Sequence, residues 1–423
     1  MNTSLSKGSR YVVLFAAVGG LLFDGVELGL MPVASLSVSQ SMLGDAFTPA
    51  LGGDWFARFT AALMLGAAAG GIFLGSLGDR IGRTRALGVS ILFYSVFAGL
   101  GAFARTQEQM LVLRFMVGLG VGGVWPNAVA VAAECWPDKS RPIIAGLMGA
   151  ALNGGILMLS QIARTWHITP ESWRWIFQLA AAPAVLGVLV LTVVPESPLW
   201  LAARGARRNP GSAGIPAGTP SSLRELLRPP LLRLTLLGIL IGSIPMVGAW
   251  AASKWMIPWA DKVGGTNEPG YKAITQGWWA LGAVLGSFFG AQIAAWLGRR
   301  RAYAIISAAA TVLTSLMFLG TAPLQASFLP IVFAQGFVAT LFFGWLPLYL
   351  PELFPTRVRT AGSGIAYNVG RFATALGVMA AGALFTAMGG SYPRVGATCG
   401  LIYLLGLIAI WWAPDTTDKK LDA

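Results

Sequence analysis

Charge is scarce in this chain. Of 423 residues, 11% are Asp, Glu, Lys or Arg while 55% are hydrophobic, a ratio that leaves a soluble protein of this size without enough polar surface to stay in water. Histidine occurs once, as His167 in a connection between apolar runs. A histidine-based metal or catalytic centre therefore has no support, and the residue reads as a solvated loop side chain. The two cysteines, Cys135 and Cys399, fall in different halves of the chain and imply no disulfide framework. No nucleophile, base and oxyanion group converge at readable spacing, which leaves enzymatic chemistry unsupported. Nothing in the composition asks for a metal or a cofactor.

What the chain has instead is apolar runs near the twenty residues an α-helix needs to cross hydrocarbon. Six come at about 11–33, 55–77, 86–104, 109–136, 143–165 and 174–194, and six more at about 232–258, 273–297, 302–321, 326–350, 360–388 and 394–413. They are too long and too uniformly apolar for barrel strands, so the expected fold is an all-α integral membrane protein with twelve transmembrane helices. Net charge is +13, and its placement accounts for it. With a cytoplasmic N-terminus, twenty of the thirty Lys and Arg residues fall on cytoplasmic segments, among them Arg80, Arg83, Arg141, Arg299, Arg357 and Arg359. This bias sets both termini in the cytoplasm of a multi-pass protein of the inner (plasma) membrane, surrounded by the lipid bilayer, with no nucleic acid needed to explain the charge. Lys7 and Arg10 also suit the opening of a signal peptide. The run after them is long, carries carboxylates and lacks a convincing cleavage site, so it reads as the first membrane helix.

The chain repeats itself. Gly82-Arg83-Thr84-Arg85 recurs as Gly298-Arg299-Arg300-Arg301, and the spacing Glu134, Pro137, Arg141 recurs as Glu352, Pro355, Arg359. Pro195-Glu196-Ser197 returns loosely as Pro414-Asp415-Thr416. Matches at nearly one offset predict two parallel, pseudo-symmetric six-helix bundles, residues 1–194 and 232–423. Residues 195–231 between them include the Gly-, Pro- and Ser-rich stretch 209–222. They read as a flexible cytoplasmic linker with one short interfacial helical turn at 223–227.

These stretches resemble a known family. Gly75-Ser76-Leu77-Gly78-Asp79-Arg80-Ile81-Gly82-Arg83-Thr84-Arg85 resembles the loop signature between helices 2 and 3 of the major facilitator superfamily. Glu134-x-x-Pro137-x-x-x-Arg141, Pro195-Glu196-Ser197-Pro198-Leu199-Trp200-Leu201 and Pro351-Glu352-Leu353-Phe354-Pro355-Thr356-Arg357-Val358-Arg359 resemble its sugar-porter and organic-ion branches. The matches span nearly the whole chain. They imply the major facilitator fold and a transporter that works as a monomer.

The loop charges suit a gate. Asp79, at the cytoplasmic end of helix 2, can accept hydrogen bonds from the start of a helix of the other half and pair with Arg80 and Arg83. The pairs Glu134/Arg141 and Glu352/Arg359, with Glu196, can act likewise, the alternative being charges that serve topology alone. Ala295 stands where a second Asp79 would be, so the gate is expected to be asymmetric.

Polar residues without a counterpart in the other half need a reason beyond the shared scaffold. In register, Asp24 maps to Gly242, Glu27 to Pro245, Arg114 to Val332 and Asn153 to Arg371. A carboxylate near the centre of a membrane helix costs about 2.5–3.5 kcal/mol on insertion scales. Asp24 and Glu27 lie three apart and share a helix face, which predicts a polar cavity beside them. Two acids so close in low dielectric favour a shared proton, so reversible protonation is the expected use. Arg114 resembles the arginine of the family signature for helix 4. Asp24-Gly25-Val26-Glu27 resembles the Asp-Gly-x-Asp of the aromatic acid:proton symporters, which makes Glu27 the first choice as proton carrier. The alternative is a permanent structural ion pair between helices 1 and 4.

Arg371, in Tyr367-Asn368-Val369-Gly370-Arg371, occupies a position similar to the arginine of organic anion transporters and of aromatic acid symporters. A guanidinium in such a cavity attracts a carboxylate in fork geometry, though it can also pair with a gate acid. Asn153, Trp125, Trp278, Trp279, Trp345, Tyr349, Tyr367 and Asn368 are candidate walls and hydrogen-bonding groups, although most membrane tryptophans and tyrosines anchor or pack. Lys254 is a candidate second cation, or a snorkelling lysine near a helix end. The paired glutamines of sugar porters are missing from GSIPMVGAWAASKW, 242–255. The leading expectation is thus a proton-coupled symporter whose partners are protons and a small organic solute, an anion. A sugar or polyol carrier, an efflux antiporter and a non-transporting solute sensor are the alternatives.

Overall fold

The computed structural model describes residues 5–136, 141–208, 225–265, 267–355 and 358–417. Among them there is no strand, and twelve helices are long and apolar enough to cross a membrane. In the first half these are α1 Lys7–Ala46, α2 Pro49–Ile81, α3 Arg83–Phe103, α4 Gln107–Cys135, α5 Gly146–Thr165 and α6 Arg174–Val193. In the second they are α7 Leu231–Gly264, α8 Tyr271–Leu297, α9 Arg299–Gly320, α10 Phe328–Glu352, α11 Gly362–Ala387 and α12 Tyr392–Trp412. Both ends of the described chain lie on one face, called here the termini face.

Several helices outrun the apolar stretches that announce them. α1 is expected over 11–33 yet continues to Ala46, because Ser35, Ser37 and Ser39 are buried against other helices. Hydropathy registers lipid and is silent about a polar extension packed on protein. Gly82 (φ 117°) and Gly298 (φ 84°), partners in the repeat, turn the chain from α2 into α3 and from α8 into α9. Side chains tolerate that backbone region poorly.

Within the halves α1 packs on α5, α2 and α3 pack on α4, α8 packs on α10 and α7 on α11. Between the halves α5 meets α8 and α2 meets α11. In lipid, cohesion between helices comes from close packing rather than from burial of apolar surface. α1 and α5 approach so closely that a Cβ on Gly25 would sit 1.8 Å from the Leu152 carbonyl oxygen, and one on Gly155 would sit 1.7 Å from that of Leu22.

The face opposite the termini is sealed across the halves. Lys272 of α8 donates to Ser37 Oγ of α1 at 3.1 Å and pairs with Asp261 of α7 at 3.0 Å. Phe56 of α2 meets the Trp255 ring edge-on at 5.2 Å, and Trp255 stacks on Phe385 at 4.8 Å. Phe385 in turn occupies the space that a Cβ on Gly53 would need. Nearer the middle, Gln276 donates to Ser160 at 3.1 Å and Asn153 to Ser287 at 2.9 Å.

The expected linker opens with a helix. Pro198–Arg208 is a helix on the termini face, tied down where Trp200 Nε1 donates to the Asp79 carbonyl at 3.1 Å. Leu199 and Leu201 are exposed beside it, as suits a helix lying at a membrane interface. Residues 209–224, including the start of the interfacial turn expected at 223–227, fall outside the described residues.

Candidate functional site

Midway along the helices a cavity of about 100 Å³ opens between the halves. Its walls come from α1, α2, α4 and α5 on one side and from α7, α8, α10 and α11 on the other, which are repeat partners. The lining is mostly apolar, with three charged side chains: Asp24 of α1, Lys254 of α7 and Arg371 of α11.

Asp24 and Glu27 share a face of α1, and each is 1% exposed. Their surroundings differ. Glu27 Oε2 accepts from Arg114 Nη1 at 3.1 Å, and the Glu27 backbone carbonyl accepts from Arg114 Nη2 at 3.2 Å. The acid and arginine expected to meet across helices 1 and 4 do so. Asp24 lines the cavity instead, and its Oδ1 is buried without a hydrogen-bond partner among the described residues.

Arg371 reaches across the interface to donate to the Ala67 carbonyl of α2 at 2.9 Å, with its guanidinium 5.3 Å from the Tyr367 ring centre. Tyr367, Trp125, Asn153 and Trp279 line the cavity as the sequence suggests. Asn368 points at α2, its Oδ1 2.5 Å from where a Cβ on Gly71 would stand. Three aromatic candidates lie elsewhere. Trp278 is 41% exposed on the outer surface of α8 and packs edge-on against Phe333. Trp345 and Tyr349 stack on each other inside the second half, where they donate to the carbonyls of Arg299 and Pro414. Composition cannot tell a cavity tryptophan from a packing one.

Lys254 does not snorkel. α7 continues to Gly264, so this lysine lies well inside the helix and is 1% exposed. Its ammonium sits 3.5 Å from the Trp279 ring centre and 5.6 Å from that of Trp250. Trp250 was missed, although its place four residues before Lys254 puts the two on one helical face. Met64, Ser287, Thr340 and Thr374 also line the wall, and side chains of that kind carry no signal in a sequence.

Several loop charges meet on the termini face. Asp79 pairs with Arg83, one of the two nearby arginines expected of it, within its own half. Glu196 takes the N-terminus of α3, accepting from the Thr84 amide at 3.0 Å. Arg83 also reaches Glu134 at 3.3 Å, and its repeat partner Arg299 grips Glu352 through two bonds of 3.1 and 2.9 Å. The acids at the ends of α4 and α10 thus share the same kind of partner at the starts of α3 and α9. Arg80 is exposed, the side chain of Arg141 lies outside the described part, and Arg359 opens the helix that continues as α11. Beyond the last span, Thr417 donates to Asp415 and holds its carboxyl below the usual range.

Known proteins resemble this chain in sequence and fold. The Probable 4-methylmuconolactone transporter of Cupriavidus pinatubonensis is 29% identical over 372 residues, 86% of this chain and 82% of its own length. The Cis,cis-muconate transport protein of Acinetobacter baylyi is 28% identical over 407 residues, 94% of this chain and 92% of its own. The xylose transporter XylE from E. coli, in a partially occluded inward open conformation, shares the fold with a TM-score of 0.74 at 18% identity, over 98% of this chain and 100% of that one. The family model described as Major Facilitator Superfamily matches residues 13–377. With twelve spans in two repeated halves around a central cavity, the chain belongs to the Major Facilitator Superfamily and is a transporter rather than an enzyme.

Proposed function

We propose that this chain is a proton-coupled symporter that carries a small organic anion, a carboxylic or aromatic acid, across the inner membrane by alternating access. In this reading it works as a monomer with both termini in the cytoplasm. One observation carries it: a carboxylate from the first half, Asp24, and a guanidinium from the second, Arg371, line the same small cavity. With both groups on one low-dielectric wall, the charge of Arg371 offsets that of Asp24. A substrate carboxylate that takes the guanidinium removes that compensation, and Asp24 then needs a proton. Anion and proton therefore enter as a pair. Glu27, whose partner is Arg114, becomes the stabilised acid beside the exchanging one, which reverses the preference drawn from the Asp-Gly-x-Asp likeness. The substrates named in the two transport relatives, 4-methylmuconolactone and cis,cis-muconate, support an organic acid.

Reconstituted into liposomes, the protein should accumulate a carboxylic acid such as cis,cis-muconate when the proton gradient points inward and lose that accumulation with a protonophore. Accumulation that ignores the gradient, or a binding screen answered by sugars alone, would sink the reading. A cysteine replacing Gly214 should react with impermeant reagents only after the cells are opened, and reaction in intact cells would reverse the orientation.

A further inference from the structure

Lys254 is the cavity group that the anion–proton exchange leaves unused. Its Nζ is buried without a hydrogen-bond partner among the described residues. The ring faces of Trp279 and Trp250 offer a cation partial compensation, but an ammonium carries three donors, and an aromatic face satisfies none of them fully. Escape to a membrane surface is not open to it. Gly264, where α7 ends, lies ten residues further on, about 15 Å of helix and beyond the reach of a lysine stem.

The position is built rather than incidental. α7 departs from regular α geometry here, with a π-helical turn at Gly248–Ala252 followed by a 3₁₀ turn at Ser253–Trp255, an irregularity that recurs at functional sites. Trp279, under the ammonium, is fixed by a bond of 2.7 Å from its Nε1 to Gln335. Gln335 is held in turn by Ser253 at 2.6 Å and Thr314 at 3.2 Å, and all three of these polar residues are fully buried. Such a supporting layer locks the ring, and with it the lysine, in one place.

We infer that Lys254 is a second anion-binding group, so that the preferred ligand is a flat acid bearing two carboxylates, one for Arg371 and one for Lys254, with the Trp250 and Trp279 rings along its plane. This rests on the organic-acid reading above and narrows it. Once Asp24 is protonated the wall holds two cations, and a dianion balances both, whereas a monoanion leaves a buried ammonium unmatched. The small volume also suits a flat molecule.

Titration calorimetry on the purified full-length protein tests this with cis,cis-muconate, terephthalate and the monomethyl ester of each. The diacids should bind at least about thirtyfold more tightly than their monoesters, as expected for a buried charge pair made or lost. Lys254→Met should erase that preference, so that diacid and monoester bind alike, and Lys254→Arg should keep part of it. Gln335→Leu, acting only through Trp279, should reduce the preference less. Should Lys254→Met fail to fold, Lys254→Gln is read in the same way. A wild type that binds monoesters as well as diacids, or a Lys254 variant that keeps the full preference, overturns the second site and leaves organic-acid transport standing. If neither diacid nor monoester binds, both readings fall.

Discussion

Arg114 of α4 holds Glu27 of α1 at two points, the carboxylate and the main-chain carbonyl, and both side chains are 1% exposed. Removing one partner of such a pair leaves the other charge uncompensated in low dielectric. Arg114→Gln should therefore lower stability by about 3–5 kcal/mol. The double variant Glu27→Gln/Arg114→Gln should recover much of that loss. Thermal unfolding in detergent measures both, and a double variant as unstable as the single would show that the pair is not the stabilising unit.

Asp24→Asn should abolish gradient-driven accumulation while counterflow of labelled substrate continues, since exchange does not require return of an empty carrier. Measuring both activities on one liposome preparation separates the two. Normal accumulation in Asp24→Asn would return the proton to Glu27.

Lys272 joins Ser37 of the first half to Asp261 of the second at the sealed face. Lys272→Met should loosen that seal and favour the state open on that side. A cysteine at Ala249 in the cavity wall, with Cys135 and Cys399 replaced, should then react several times faster with an impermeant maleimide added from that side. An unchanged rate would mean that the aromatic cluster holds the seal alone.

Neighbouring glycines of α5 should respond in opposite ways. A Cβ on Gly155 would collide with the Leu22 carbonyl, whereas one on Gly154 meets nothing within 4 Å. Gly155→Ala should cost about 1–3 kcal/mol, as overpacking does, and Gly154→Ala should stay within about 0.5 kcal/mol. Melting curves of the two variants decide it, and equal curves would refute the close α1–α5 crossing.

The number of spans and the twofold repeat were legible because length and hydropathy answer directly to the bilayer. Asp24, Glu27, Arg114 and Arg371 stood out for the same reason, since charge inside an apolar run needs an explanation. Sequence was blind to neighbours. Nothing in it separates Trp279 in the cavity wall from Trp278 on the outside, one residue away. Nor does it show that Arg83 meets Glu134, because that contact depends on the angle between α3 and α4. Lys254 read as terminal only because the apolar run ends before the helix does.

The Arg83–Glu134 and Arg299–Glu352 pairs act as braces. Each ties the start of one helix to the end of the next, at the same corner of each half and on the same face. A braced corner resists shear, so each bundle behaves near that face as a stiff lever with little give of its own. Displacement during transport must then collect where the levers touch, along the α5–α8 and α2–α11 seams. Arg371, whose bond to the Ala67 carbonyl lies across the second of these, sits at the fulcrum. If the cargo binds at Arg371 as proposed, the load is carried at the point of least travel, where a small rotation can exchange one set of hydrogen bonds for another without dragging the cargo through the membrane.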